Sequence, residues 1–158
     1  MSQAGLPAAE PIPDTDHIAR HCQPGDMDAD KRFPMARAFH RKTEERSVSV
    51  NWPEYLKGSD LEHCLELLRP ILAKKRTVRR SHRLVVVRVG EARDALRKAA
   101  ESESRLAAIE IRHDPETNDH SHAGIFECEV EDDAVALILK DLVRGSDVFP
   151  AFYAASAA

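Results

Sequence analysis

Residues 112–125, RHDPETNDHSHAGI, carry three of the chain's eight histidines and two aspartates within ten residues. We take His113, Asp119, His120 and His122 as the candidate catalytic and metal-binding residues. Three imidazoles and a carboxylate match the ligands that zinc and iron prefer, so a divalent metal is a candidate cofactor. Without a metal, the same groups could act as general acid and base, because histidine titrates near neutrality. The alternative is a structural loop, since DPETND has the composition of a hydrogen-bonded turn.

A second pair of histidines lies near the start of the chain, in the segment HIARHC. His17 and His21 are four residues apart, so they share one face of a helix and also one face of a strand. This spacing suits half of a metal site. The simpler interpretation is two surface histidines, and the pair gains importance only if the fold brings it close to residues 113–122.

The most basic stretch is residues 74–83, KKRTVRRSHR, in which six of ten residues are Lys or Arg. Such a cluster attracts phosphate, because each neutralised phosphate releases condensed counterions. We therefore take Lys75, Arg79 and Arg80 as candidate phosphate-binding residues, with RNA, DNA or a nucleotide as the partner. No aromatic residue interleaves the run, which disfavours recognition of single strands by stacking. The alternative is a solvated connection or a docking surface, which the acid-rich residues 127–133 could neutralise within one molecule or across a homodimer.

The only tryptophan, Trp52, lies in SVSVNWPEYL at a predicted junction between a strand and a helix. A ring of this size is most simply explained as a buried anchor for the corner, with Pro53 at the first helical position. The alternative is that Trp52, Asn51 and Tyr55 form the wall of a ligand pocket. Trp52 therefore stays among the candidate ligand-binding residues.

Five residues follow an order that resembles one class of ADP-ribosyltransferases. Those enzymes have an arginine on an early strand, a Ser-x-Ser on a later strand and a Glu-x-Glu beyond it. The matching positions in this chain are Arg20, Ser47 with Ser49, and Glu127 with Glu129. The resemblance implies an enzyme that consumes NAD and requires Glu129 for turnover.

Hydrophobic periodicity predicts three helices and about five strands. Leucines recur at helical spacing behind a capping box of Ser59 and Glu62, and Pro70 is expected to kink or end that helix. The predicted helices cover residues 59–72, 91–102 and 131–145, and the predicted strands cover residues 35–42, 46–52, 83–89, 105–113 and 123–130, with an edge strand at 147–152. The first two strands would form a hairpin. Because strands alternate with helices, we predict a single-domain α/β or α+β fold with a mixed, partly parallel sheet.

Composition predicts one soluble domain. Of the 158 residues, 42% are apolar and 32% are charged, which is a globular balance at the length of one ordinary domain. Residues 1–15 and 154–158 are expected to be flexible, and residues 16–153 to form the domain. Three scattered cysteines, the lack of a secretory leader and the lack of a long apolar run lead us to expect a cytoplasmic protein without a membrane segment.

Three functions stay open from the sequence. The first is an accessory, regulatory or immunity-type protein that binds a macromolecular partner or a second copy of itself through its basic and acidic segments. The second is a histidine-dependent, metal-assisted phosphoesterase or nuclease in which Arg79 or Arg80 holds the phosphate. The third is the ADP-ribosyltransferase-like enzyme. The sequence has no Gly-rich phosphate loop, HExxH, GxSxG or paired CxxC motif, which disfavours the large families that those motifs define.

Overall fold

The computed structural model describes residues 5–154 and has an α+β fold with three helices, as predicted. The strands are β1 (His17–Cys22), β2 (Ser47–Asn51), β3 (Arg83–Arg88), β4 (Glu110–His113), β5 (His122–Phe126) and β6 (Val148–Pro150), and the helices are α1 (Leu61–Lys75), α2 (Val89–Ala99) and α3 (Asp133–Asp141). None of the helices within residues 5–154 is long and apolar enough to cross a membrane.

The strands form one sheet in the order β4-β5-β2-β1-β3-β6, and every neighbouring pair runs antiparallel. This corrects the expected strand directions, since no two of these strands pair in parallel. The connections through α2 and α3 do join strands that run in the same direction. Each connection, however, passes over three intervening strands, so it never ends beside the strand that it left. Alternation of strands with helices therefore did not imply parallel pairing.

Two predicted strand segments form 3₁₀-helical turns. Ala36–Phe39 is such a turn and buries Ala38 and Phe39 next to α3, so the predicted hairpin with β2 is wrong. The predicted strand at 105–113 is reduced to β4, because Ser104–Ala108 forms a second turn that buries Leu106. Only β4 keeps the alternation of exposed and buried side chains that is typical of a half-covered strand.

Helix α1 has its predicted core positions but different ends. Asp60, rather than Ser59, caps the helix, since the Asp60 carboxylate accepts a hydrogen bond from the His63 backbone N–H at 2.8 Å. The helix does not end at Pro70 and continues to Lys75. Its apolar face explains the continuation, because leucines on both sides of the proline are buried against the sheet, namely Leu65, Leu68 and Leu72.

Residues 10–14 lie along the domain. Ile12 is buried in the larger core cluster, and its carbonyl accepts a hydrogen bond from Arg93 at 2.7 Å. The Glu10 backbone N–H donates to the His113 ring at 3.0 Å. The sequence predicted the domain to begin at residue 16, and these contacts lie before that boundary. The predictions for residues 1–4 and 155–158 lie outside the described residues.

The two faces of the sheet are covered differently. On one face, residues of β1 to β5 form a large apolar core with α2 and α3. On the other face, the leucines of α1 pack on a smaller cluster that includes Ala19, Leu84 and Val86. Strand β3 is therefore buried on both faces, as predicted. Where β2 and β5 present this second face, four of their side chains are polar, namely Ser47, Ser49, Asn51 and His122, and these side chains form the candidate site.

Candidate functional site

The candidate site is the part of the sheet surface that we call the polar face, formed by Ser47, Ser49 and Asn51 of β2 and His122 of β5. Alternation along β2 sends Val48 and Val50 into the large core and the three polar residues to the opposite side. Asn51 pairs with His122 and Ser49 pairs with Gly124, so the Ser49 side chain is the diagonal neighbour of the His122 ring.

Ser49 and His122 form a close pair on the polar face. The Ser49 hydroxyl oxygen lies 2.6 Å from His122 Nε2, and His122 Nδ1 lies 2.8 Å from the Asp114 backbone carbonyl. Because a carbonyl only accepts hydrogen bonds, Nδ1 carries the ring proton and the Nε2 lone pair faces the hydroxyl. A serine hydroxyl, an imidazole and a carbonyl that orients the imidazole are therefore in contact, which is the geometry that a serine nucleophile and its base require.

Two carboxylates lie beside the same imidazole. The Asp114 carboxylate is 3.6 Å from His122 Nδ1, and the Glu116 carboxylate is 3.8 Å from it. The His122 side chain is only 6% exposed. The two carboxylates therefore face the imidazole on the side away from Ser49.

A buried network holds the loop that precedes His122. The Asp119 carboxylate accepts hydrogen bonds from Lys75 at 2.8 Å, Asn51 at 2.7 Å and the Ser121 hydroxyl at 2.7 Å. Lys75 also binds Glu116 at 3.0 Å. Burial opposes the ionisation of Asp119, but these three donors outweigh burial and lower the pKa of the carboxyl below its ordinary value. The network joins the end of α1 to β2 and to the loop, which fixes the position of His122.

The structure does not bring the predicted metal ligands together. His113 pairs with Ala123, so its side chain lies on the same face of the sheet as that of Ala123. His122 directly precedes Ala123 on β5, so its ring lies on the opposite face. Both His113 ring nitrogens have partners, with Nδ1 accepting from Glu10 and Nε2 lying 2.7 Å from the His120 carbonyl. The His120 side chain is exposed. Within residues 5–154, no group of three or more His, Cys, Asp or Glu residues could hold a metal ion.

The early histidines also lie apart from that loop. His17 Nδ1 is 2.6 Å from the Glu54 carboxylate, and His21 Nε2 is 2.9 Å from Nδ1 of His82. Burial, followed by the positive charges of Arg76 and Arg20, lowers the pKa of His21 to about 3. Burial also lowers the pKa of His82. The His21–His82 pair is therefore neutral at neutral pH.

The His21–His82 pair predicts a loss of stability on mild acidification. The pKa of His21 is lower in the folded protein than its ordinary 6.5, so between about pH 6.5 and 3 the unfolded chain binds more protons. The free energy of unfolding should therefore decrease as the pH is lowered. The slope is at most about 1.4 kcal/mol per pH unit for this group. Urea unfolding of the wild type and of His21→Gln between pH 6.5 and 4.5 measures the slope, which we expect to be smaller in the variant. His120→Gln, at an exposed histidine, should keep the wild-type slope, and equal slopes in wild type and His21→Gln would contradict the assignment.

The predicted phosphate-binding residues have different environments. Lys75 is held in the buried network, and its side chain is only 8% exposed. Trp52 is 5% exposed, and its indole N–H donates to Asp16 at 2.9 Å, which fits the anchor interpretation. Arg79 and Arg80 are exposed, and the Arg80 guanidinium lies 4.5 Å from the centre of the Phe152 ring. Two of the four candidates thus face solvent.

The transferase-like residues come together only in part. The Arg20 guanidinium donates to the Ser49 carbonyl at 2.6 Å and to the Ala38 carbonyl at 2.8 Å. Ser47 and Ser49 share the polar face. Glu127 borders a separate depression beside Arg46, and Glu129 is exposed after β5. Arg20 and the serines thus lie near each other, whereas Glu127 does not border a cavity with Ser49.

A cleft opens where β1 and β2 separate. The two strands share one paired position, Ala19 with Asn51, and Arg20 binds the Ser49 carbonyl beyond it. The cleft has a volume of about 780 Å³, and a smaller cavity of about 270 Å³ lies next to it. Three residues border both, namely Glu44, Glu45 and Ser49. Ser49 therefore lies at the junction of the two cavities.

Gly124, opposite Ser49 on β5, leaves no room for a side chain. A Cβ atom there would lie 2.8 Å from the Phe126 ring and 2.9 Å from Ser47 Cβ, and closer still to the Ser47 hydroxyl. Because Ser47 Cβ is attached directly to β2, Gly124→Ala should shift the strand and destabilise the fold by about 1–3 kcal/mol. Gly145→Ala is the control, since its nearest atom would be 3.8 Å away. Urea unfolding of both variants tests this, and equal effects would contradict the steric explanation.

Sequence reasoning missed the pairing of Ser49 with His122. The available signal was the alternation in SVSVN, which predicts that Ser47, Ser49 and Asn51 share one strand face. Which strand pairs with β2, and in which register, could not be taken from that pattern. Comparison of the chain with protein-family models, with curated proteins and with solved structures found no match.

Proposed function

We propose that the protein is a hydrolase that cleaves ester bonds, with Ser49 as the nucleophile and His122 as the general base. The observation that carries the proposal is the contact of 2.6 Å between the Ser49 hydroxyl and His122 Nε2, with Nδ1 held by the Asp114 carbonyl. This is the arrangement by which an imidazole activates a serine that is otherwise a weak nucleophile.

Two side chains of the polar face, Ser49 and His122, carry the bond-forming and proton-transfer steps of the reaction. The Ser49 oxygen bonds to the ester carbonyl carbon while its proton moves to His122 Nε2. The protonated ring then gives this proton to the departing alcohol as the ester C–O bond breaks, which leaves an acyl-serine. Water attacks this intermediate and gives a proton to His122, which passes it to the departing Ser49 oxygen. The acid is released and the pair is restored.

The surroundings of the pair support this chemistry. Ser49 is half-buried and borders both cavities, so a substrate in either could reach its hydroxyl. His122 is nearly buried, and the carboxylates of Asp114 and Glu116 lie where the imidazolium charge would develop. Preorganised charge in a site with little water is worth more than the same charge in solvent.

A fluorophosphonate reagent tests the proposal, because it phosphonylates activated serines and releases fluoride. We expect one adduct per chain at neutral pH, located at Ser49 by peptide mass spectrometry and absent from Ser49→Ala. Ser47 is the matched control, since it lies two residues earlier on the same strand face and borders the same smaller cavity. Ser47→Ala should label at the wild-type rate. If the reagent labelled several exposed serines and modified Ser49 no faster than the others, the result would contradict the proposal.

Binding of a macromolecular partner stays a second prediction. It is favoured by the exposure of four cationic residues in the basic segment, namely Lys74, Arg76, Arg79 and Arg80. The acid-rich segment does not neutralise them through its aspartates, because Asp132 pairs with Arg105 and Asp133 with His40. Fluorescence anisotropy of a labelled DNA or RNA duplex measures the affinity as a function of salt concentration. If Arg79→Ala had the wild-type affinity at every salt concentration, this would contradict a role for the basic segment.

A further inference from the structure

The cleft between β1 and β2 is large enough for a small organic ligand. Its volume of about 780 Å³ lies within the range of about 300–1,000 Å³ that is usual for ligand sites. The residues around it are almost all polar, and none of those in the described chain is Phe, Tyr or Trp. Most of the lining side chains are charged, so the cleft favours a charged, polar ligand.

Arg20 places a positive charge at this cleft without an ion-pair partner among the described residues. Its half-buried guanidinium donates only to the carbonyls of Ala38 and Ser49, and no carboxylate in residues 5–154 is within ion-pair distance. A guanidinium has five N–H donors and keeps its charge, so donors remain for a further acceptor. Burial lowers the pKa of Arg20, which indicates that the charge is poorly solvated. A negatively charged ligand would compensate it.

Four more cations border the same cleft. Arg37 and Arg41 donate to the backbone carbonyls of Gly25 and Cys128, and the other two are Lys42 and Arg76. Lys42 comes from the loop before β2, and Arg76 directly follows α1. Both are exposed, and in the described part of the chain neither side chain has a hydrogen bond or an ion pair. After burial, Arg76, Arg20 and Lys42 are among the charges that lower the pKa of His21. The positive potential of three side chains therefore converges beside that ring.

Acidic residues also border the cleft. Four carboxylates border the cleft, namely those of Asp26, Glu44, Glu45 and Glu131. Asp26 accepts a hydrogen bond from the Gln23 backbone N–H at 3.0 Å, and Glu44 and Glu45 lie on the border shared with the smaller cavity. The cleft is thus lined by charges of both signs, and Asp26 and Glu45 act electrostatically on Arg20.

We infer that the ester substrate carries a phosphate group, which binds in the cleft against Arg20, Lys42 and Arg76 and presents the neighbouring ester to Ser49. The position of the ester at Ser49 rests on the proposed function. The binding of phosphate in the cleft does not depend on it. A phosphate dianion has enough charge and acceptor oxygens for two guanidinium forks and an ammonium, whereas a single carboxylate does not. Holding this group beside Ser49 would align the ester for attack.

Calorimetric titration of inorganic phosphate into Ser49→Ala at neutral pH and low salt tests the anion site without any chemistry. We expect saturable binding to one site, which sulfate competes for at equal ionic strength and chloride does not. Removing both exposed cations, in Ser49→Ala/Lys42→Ala/Arg76→Ala, should weaken binding by about a hundredfold, since each of the two lost charge-assisted hydrogen bonds is worth about tenfold. Lys74→Ala is the matched control, because Lys74 is an exposed lysine of α1 outside the cleft.

The outcomes separate the two proposals. Phosphate that does not bind to Ser49→Ala, or that Lys74→Ala weakens as much as the cleft variants, overturns the phosphate inference even if Ser49 reacts with the fluorophosphonate. Phosphate that binds in the cleft while Ser49 stays unlabelled overturns the proposed hydrolase and leaves the anion site standing. Saturable binding that depends on Lys42 and Arg76, together with labelling of Ser49, supports both.

Discussion

Ser49→Ala is expected to lower kcat/KM for hydrolysis of an activated ester such as p-nitrophenyl acetate by about a thousandfold or more. The variant removes the atom that attacks the carbonyl carbon, so only the activity of water near the site is left. His122→Gln keeps a polar side chain of similar reach but cannot accept and return a proton at neutral pH. Loss of a general base costs about 10²–10⁴-fold in rate, and we expect this variant to fall in that range.

The double variant sharpens this test. If Ser49 and His122 act as one unit, Ser49→Ala/His122→Gln should be no slower than the slower single variant, because either change already disables the pair. Ser47→Ala should retain activity within a few-fold, which controls for changes to the strand. Full activity in Ser49→Ala, or effects of the two changes that multiply, would contradict a shared mechanism. Circular dichroism and unfolding midpoints show whether each variant is folded.

Lys75→Met is expected to destabilise the fold by about 3–5 kcal/mol, because it leaves the Asp119 carboxylate buried without its cation. Asp119 is fully buried, and the ammonium of Lys75 is its only ion-pair partner within the described residues. Methionine keeps most of the apolar stem, so the loss reports on charge rather than on packing. Lys74→Met, at the exposed neighbouring position, should change stability by no more than about 0.5 kcal/mol. Urea unfolding at pH 7 measures both.

The pH dependence of this deficit is a second readout. In the wild type the pKa of Asp119 is lower than its ordinary value, so its contribution to stability is present at neutral pH and is lost as pH falls through the folded pKa. In Lys75→Met, burial without the cation raises that pKa, so acidification protonates Asp119 in the folded state and relieves the penalty. The deficit should shrink between pH 7 and 4.5. A deficit that is constant with pH, or absent at pH 7, would show that the pair does not hold the loop.

The two experiments are linked by the position of His122. Asp119 lies three residues before His122 and Ser121 directly precedes it, and the Asp119 carboxylate binds Asn51 on the same strand face as Ser49. Loss of the Lys75 contact should therefore also disturb the Ser49–His122 distance. We expect Lys75→Met to lose ester hydrolysis under conditions in which it is still folded, as a positioning effect rather than a loss of reacting groups.

Local pattern was sufficient for most of the secondary structure. The leucine spacing of α1, the apolar run of β3 and the acidic start of α3 each carry their signal within a few neighbouring residues. The prediction was wrong at 35–42, where apolar residues were taken for a strand. Phe39 is buried next to α3, which lies about ninety residues later in the chain, and no local pattern contains that contact.

The sequence by itself determined the inventory and the local geometry of this protein. It placed the helices, put Ser47, Ser49 and Asn51 on one strand face, and confined three histidines to ten residues. Only the tertiary structure decided which of these residues meet. A strand alternates its faces at every residue, so the register of β4 with β5 sends His113 to the core side and His122 to Ser49. Ser49 and His122 lie 73 residues apart and become neighbours only through strand pairing, which depends on the packing of the whole sheet.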